Sequence, residues 1–178
     1  MNTALEMIDK LRDTTQSHER CSVVEVMGRH AGWVALQTGI AAGATAILLP
    51  EVEFDLQKDV IDKIKNLVST GKKHFIIVVA EGVGKVSDIA KTIEEKTGVE
   101  SRATVLGHVQ RGGSPTVRDR LMASPMGNKA VCLLESGIGN RVISWRDNSL
   151  VDDDIFEALS RKKEFDFEMY NMALEVSI

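Results

Sequence analysis

Apolar positions change period several times along this chain, and each change marks an element. Leu5, Ile8 and Leu11 recur at helical spacing behind Asn2 or Thr3, which predicts a capped helix to about Asp13. The polar stretch 14–20 leads into a β-branched run over 21–27, a strand that Gly28-Arg29-His30 ends. Ala31-Gly32-Trp33 opens a helix of small residues reaching about Ala42. Its weak intrinsic propensity means that it must be buried against a sheet to persist. A second buried strand follows over 46–49, closed by Pro50-Glu51. Val60, Ile61, Ile64, Leu67 and Val68 line one side of an amphipathic helix over 55–68, with Gly71 as its stop. Residues 75–80 form a third strand ending in Glu81-Gly82-Val83-Gly84. Ser87 is expected to cap a helix over 88–97, stopped by Gly98.

The fourth strand carries Arg102 through Ala103-Thr104-Val105-Leu106 into a glycine-rich loop over 107–115. There Ser114-Pro115 fits an N-cap followed by proline at the first helical position. Residues 116–136 are helical by pattern. Pro125 lies inside them, so a break or kink is expected, with Ser124 capping a new helix. Gly137 and Gly139 end it; a short strand over 142–145, a helix over 152–160 and an apolar tail over 165–178 that docks complete the chain. Strands separated by helices imply right-handed βαβ crossovers, and nearly continuous apolar strands imply that both sheet faces are covered. The expected fold class is α/β: an open, mostly parallel sheet with helices on both faces, a Rossmann-like three-layer sandwich. Residues 1–178 are expected to form a single domain with a helical tail from about residue 152.

Composition narrows the function classes. The 178 residues are 43% hydrophobic and 27% charged with net charge −4, so no overall nucleic-acid footprint is expected. Cys21 and Cys132 stand far apart in apolar contexts and read as buried free thiols of a reducing compartment, without metal-ligand spacing. Apolar runs are strand-sized rather than membrane-sized, and the start lacks a signal-peptide pattern, so a cytoplasmic location is expected.

In a wound sheet, ligands bind beyond the carboxyl ends of the strands. Those ends supply Met27-Gly28-Arg29 after the first strand, Glu81-Gly82 after the third, and His108 and Arg111 after the fourth. Arginine offers a planar fork for phosphate, histidine a directional donor, and bare glycine backbone lets an anion approach N–H groups. A carboxylate among them accepts from hydroxyls, so the set suits a phosphorylated polyol. Solvated charges at a strand–turn–helix corner would explain any one of these residues, and explain the set less well. Competing motifs fail: Asn66 stands where a P-loop before Gly71-Lys72 needs its first glycine, and Gly137-Ile138-Gly139 lacks a third glycine and a preceding strand. No nucleophile elbow is present either.

Leu11-Arg12-Asp13-Thr14, Ser17-His18-Glu19-Arg20, Val24-Glu25-Val26-Met27-Gly28-Arg29, Pro50-Glu51 and the run 102–115 together resemble the C-terminal half of 6-phosphofructokinases. These glycolytic kinases convert fructose 6-phosphate to the 1,6-bisphosphate. The resemblance implies that Met27, Gly28, Glu81, His108 and Arg111 hold the sugar phosphate, the basic pair on its 6-phosphate. It implies that Arg20 and Arg102 reach the site of a neighbouring subunit in a homo-oligomer, and that Arg29 lies near the transferring phosphoryl group. The family's glycine-rich ATP loops and its Thr-Ile-Asp-Asn-Asp run with the catalytic base find no match here. ATP and magnesium are thus implied for a complete enzyme, at sites outside these residues, and the 178 residues alone are expected to be inactive.

Around the family's allosteric pocket, Arg12, Gly43 and Lys72 match effector-binding positions. Thr45 stands where a glutamate is common, Thr70 where a lysine is frequent, Trp33 where relatives often have aspartate, and Pro125 replaces an arginine. A stand-alone, non-catalytic sensor of sugar phosphates or nucleotides is the alternative that the residues leave open.

Overall fold

The chain divides into two compact units, residues 1–112 with the segment from Phe165 onward, and Gly113–Glu164. In the computed structural model, which describes residues 1–177, the first unit is built on four strands: β1 (Cys21–Val26), β2 (Ala46–Leu48), β3 (Phe75–Ala80) and β4 (Ser101–Val105). All pairings are parallel, in the order β2-β3-β1-β4. Successive side chains on a strand point to opposite faces, and both faces here are covered. On one, Val24, Val26, Ile76, Val78 and Ala80 pack with Ala4 and Ile8 of α1 (Asn2–Ser17), Ala35 and Leu36 of α2 (Trp33–Ala41), and Ala173 of the tail helix. On the other, Cys21, Val23, Phe75, Ile77 and Val79 pack with Val60, Ile61 and Ile64, and with Val86, Ile89, Ala90 and Ile93. All six residues of β3 are buried, as a strand between two neighbours and two helical layers requires. This is the α/β sandwich with a parallel sheet that the apolar pattern predicts.

Helix ends depart from expectation where backbone geometry overrides sequence signals. α1 continues to Ser17 rather than stopping near Asp13, since Thr15 is buried and its hydroxyl donates to the Leu11 carbonyl. The amphipathic segment starts as a π-helix (Leu56–Asp62) and continues as α3 (Lys63–Ser69). Asp55 caps it by accepting from the Gln57 and Lys58 N–H groups, while Asp59 accepts from the Asp55 N–H at 2.7 Å. This is a reciprocal cap spaced four residues instead of three, as a wider turn demands. α4 (Val86–Thr97) has Lys85, not Ser87, at its N-cap; Gly98 ends it at φ 74° as predicted.

The second unit holds α5 (Val117–Glu135), an antiparallel hairpin of β5 (Arg141–Arg146) and β6 (Ser149–Asp154), and α6 (Ile155–Ser160). Thr116, not Ser114, caps α5: its hydroxyl accepts from the Asp119 N–H, and the Asp119 carboxylate accepts from the Thr116 N–H. That reciprocal pair places the start beyond Pro115. Pro125 does not break α5, which is continuous, and Ser124 caps nothing; its hydroxyl donates to the Arg120 carbonyl at 2.9 Å. The predicted helix over 152–160 begins as strand β6 and turns helical only at Ile155. Asp147 and Asn148 at φ 49° and 58° form the tight turn that pairs β6 with β5, and Asp154 then caps α6. Cys132, expected to be buried, is exposed on α5.

α5 carries two apolar stripes on opposite sides. Met122, Met126, Ala130 and Leu133 are half-buried, and the Trp145 indole N–H of β5 donates to the Met122 carbonyl. Val117, Leu121 and Val131, on the other side, are 74%, 68% and 54% exposed. After the second unit, the tail returns as α7 (Phe167–Val176) to the first unit, as the apolar tail predicts.

Candidate functional site

β1 lies between β3 and β4 with Val26 level with Ala80 and Glu25 level with Val105. The three chains therefore leave the sheet side by side: the Glu81 N–H donates to the Val26 carbonyl at 2.9 Å, and the Leu106 N–H to the Glu25 carbonyl at 3.1 Å. Beyond this edge lies a cavity of about 430 Å³ lined by Met1, Met27, Gly28, Arg29, Val34, Glu81, Gln110 and Arg111.

Glu81 organises its middle. One carboxylate oxygen accepts from the Arg29 N–H at 2.9 Å and the Gly28 N–H at 3.2 Å. These two backbone donors, Arg29 first, hold its carboxyl below the ordinary carboxylate range; the charges of Arg29 and Arg111 act in the same direction. The backbone is drawn tight to allow it. Arg29 sits at φ 55°, which an L side chain adopts at some cost. A Cβ on Gly28 would stand 2.2 Å from the Ala31 carbonyl oxygen, so only glycine fits. Nearby Glu25 has its pKa raised, first by burial and then by the Glu81 charge.

Of the residues singled out in the sequence, the structure thus brings Met27, Gly28, Arg29, Glu81 and Arg111 to one concavity. His108 stays off its lining, exposed in the 3₁₀ turn Gly107–Arg111. Arg20 and Arg102 lie at the opposite end of the strands, roughly 17 Å of strand away. There both pair with Glu100, at 2.7 and 2.6 Å, and hold its carboxyl below the ordinary range. Gln110 also lines the cavity; a neutral amide between His108 and Arg111 carries no charge or spacing signal, so sequence reasoning passes over it.

A second cationic group sits elsewhere in the same unit. Burial lowers the pKa of Lys72, with the Arg12 charge adding to it, and burial lowers that of Lys63, with the Lys72 charge adding. One terminal nitrogen of Arg12 is buried without a hydrogen-bond partner among the described residues. Gly43 occupies a turn at φ 58° with open space around it. Lys63 is the member that the sequence did not suggest. No group of three or more His, Cys, Asp or Glu side chains that could hold a metal ion occurs among the described residues. No helix there is long and apolar enough to cross a membrane.

Fold and cavity define the class: a wound parallel α/β protein with an arginine-flanked pocket at the carboxyl ends of its strands. The family model for phosphofructokinase matches residues 1–134. The chain is 56% identical over all 178 residues to the "ATP-dependent 6-phosphofructokinase" proteins of Bacillus thuringiensis (strain Al Hakam) and Bacillus anthracis (strain A0248), and spans 56% of each relative's length. Among solved structures, that of phosphofructokinase from Saccharomyces cerevisiae is similar over 98% of this chain and 25% of the other, with TM-score 0.81 and 31% identity. The phosphofructokinase of Pichia pastoris in the T-state gives 0.74 and 30%, over 98% of this chain and 20% of the other. The chain belongs to the phosphofructokinase family.

Proposed function

We propose that this chain supplies the sugar-phosphate-binding part of an ATP-dependent 6-phosphofructokinase of glycolysis, working in the cytoplasm, and that the cavity beyond β1, β3 and β4 takes fructose 6-phosphate. The observation that carries this reading is the pairing of Arg29 and Arg111 with a backbone-anchored Glu81 around one concavity. Arg111 and His108, from the same short turn, are assigned to the 6-phosphate. Glu81, kept ionised, accepts from sugar hydroxyls; Met27 and Gly28 shape the floor. Arg29 offsets charge on the phosphoryl group in flight. Arg20 and Arg102, now held by Glu100, are assigned to a neighbouring subunit's phosphate pocket in a homo-oligomer. Arg12, Gly43 and Lys72 are assigned to an effector phosphate, an assignment that the concentration of positive charge around Arg12 and Lys72 supports.

ATP and magnesium are assigned to the part of the family's chain that these residues do not match. The exposed stripe of α5 supports a partner there: an apolar face of this kind fits the remaining part of the enzyme.

Titration calorimetry tests the reading. Fructose 6-phosphate is expected to bind the 178 residues, and Arg111→Ala to weaken it at least 10-fold. A coupled assay on the 178 residues alone is expected to show no ATP- and sugar-dependent turnover. Unaltered affinity in Arg111→Ala would remove the cavity from consideration. Tight binding of sugar phosphate, with no turnover restored by adding the unmatched part of the family's chain, would favour a stand-alone sensor instead.

A further inference from the structure

Gln110 is the anomaly of the cavity. It is on the lining, yet its carboxamide is out of contact with solvent, and neither Nε2 nor Oε1 has a hydrogen-bond partner among the described residues. A buried amide has given up its hydrogen bonds to water and, here, received none in return. Its surroundings define what it can recognise. Arg29 and Arg111 only donate hydrogen bonds and ionised Glu81 only accepts them, whereas a carboxamide does both. A phosphate group, rich in acceptors, is served by the arginines. A hydroxyl, which donates and accepts, matches the amide.

We infer that Gln110 is a specificity-determining residue of this cavity: its carboxamide turns onto hydroxyl groups of the bound sugar, donating through Nε2 and accepting through Oε1. This rests on the reading of the cavity as a sugar-phosphate site. The turn breaks no hydrogen bond to the described residues, since none of them pairs with the amide, and it uses only side-chain torsions. The unsatisfied amide is a destabilisation held in reserve and relieved by ligand. Discrimination follows from the same chemistry: a site built to hydrogen-bond a hydroxyl rejects an analogue lacking it far better than an apolar wall does.

Gln110→Leu removes the polar atoms and leaves an apolar side chain of comparable bulk, so it reads both halves of the inference. Thermal unfolding of the free variant is expected to shift upward by about 2–4 °C. Fructose 6-phosphate affinity is expected to fall at least 10-fold, and inorganic phosphate affinity to change less than 2-fold, both measured by calorimetry on the same preparation. A lower unfolding midpoint would overturn the inference, since the amide would then be holding the fold together through ordered water. Equal loss of both ligands, or loss of neither, would overturn it as well. If the native chain binds neither ligand, the cavity reading itself has failed and takes this inference with it. If native binding of the sugar phosphate is intact and Gln110→Leu matches it, only the inference fails.

Discussion

Glu81 shows how one side chain ties a sheet edge to a loop. Its carboxylate collects the N–H groups of Gly28 and Arg29, and in doing so fixes Arg29 in a backbone conformation that it would otherwise avoid. Because the folded-state pKa lies below that of the unfolded chain, the folded state binds fewer protons in the interval between them. The stabilisation is therefore complete above the ordinary carboxylate range and disappears as pH falls through the lower folded value. Glu81→Gln is expected to flatten that part of the acid limb of unfolding followed by circular dichroism. An unchanged acid limb would mean that the carboxylate does not anchor the loop. Met27, Gly28, Arg29, Glu81 and Arg111 were legible as a set because each ends an apolar strand or follows one closely. Gln110 and Lys63 were not: one is uncharged, and the other looks like any solvated helix lysine until burial and the Lys72 charge act on it.

At the scale of elements, α5 is the informative case. A proline inside a helix removes one hydrogen bond and crowds the carbonyl four residues back, here that of Leu121, yet α5 runs on for 19 residues. The Thr116–Asp119 cap and the half-buried stripe facing the hairpin outweigh that one defect. Pro125→Ala is expected to stabilise the second unit by up to about 3 kcal/mol, measured by denaturant unfolding in a Trp33→Phe background that leaves Trp145 as the fluorescent probe. No gain would mean that the helix is already broken at Pro125 in solution. The hairpin was missed because Asp147-Asn148 is a weaker two-residue turn signal than a pair ending in glycine. Residues 152–154, expected to open a helix over 152–160, pair with Ile143, Val142 and Arg141 and form a strand instead.

For the whole molecule, two apolar faces have different fates. The first unit buries its helices on both sides of the sheet, whereas the second leaves Val117, Leu121 and Val131 exposed in a row. Exposed rows of this kind drive association. Leu121→Glu combined with Val131→Glu is expected to lower self-association of the 178 residues in sedimentation velocity without changing their circular dichroism, since neither side chain is buried. Unchanged sedimentation would show that this face is not sticky. Family membership sets the scale of what remains outside: each Bacillus relative extends well beyond the 56% of its length that this chain spans.

Local chemistry alone determined the four strands of the first unit, their helical connections, the parallel wound sheet and the rim at which its loops gather, because apolar period and strand-end residues are properties of neighbours in the chain. Which of those loop residues share a cavity was decided by strand order. β1 between β3 and β4 sets Glu81 against Gly28 and Arg29 at one end of the strands and, at the other end, brings Arg20 and Arg102 together on Glu100. That order is a contest among long-range pairings, settled by how both faces of the sheet are buried, and no window of sequence contains it.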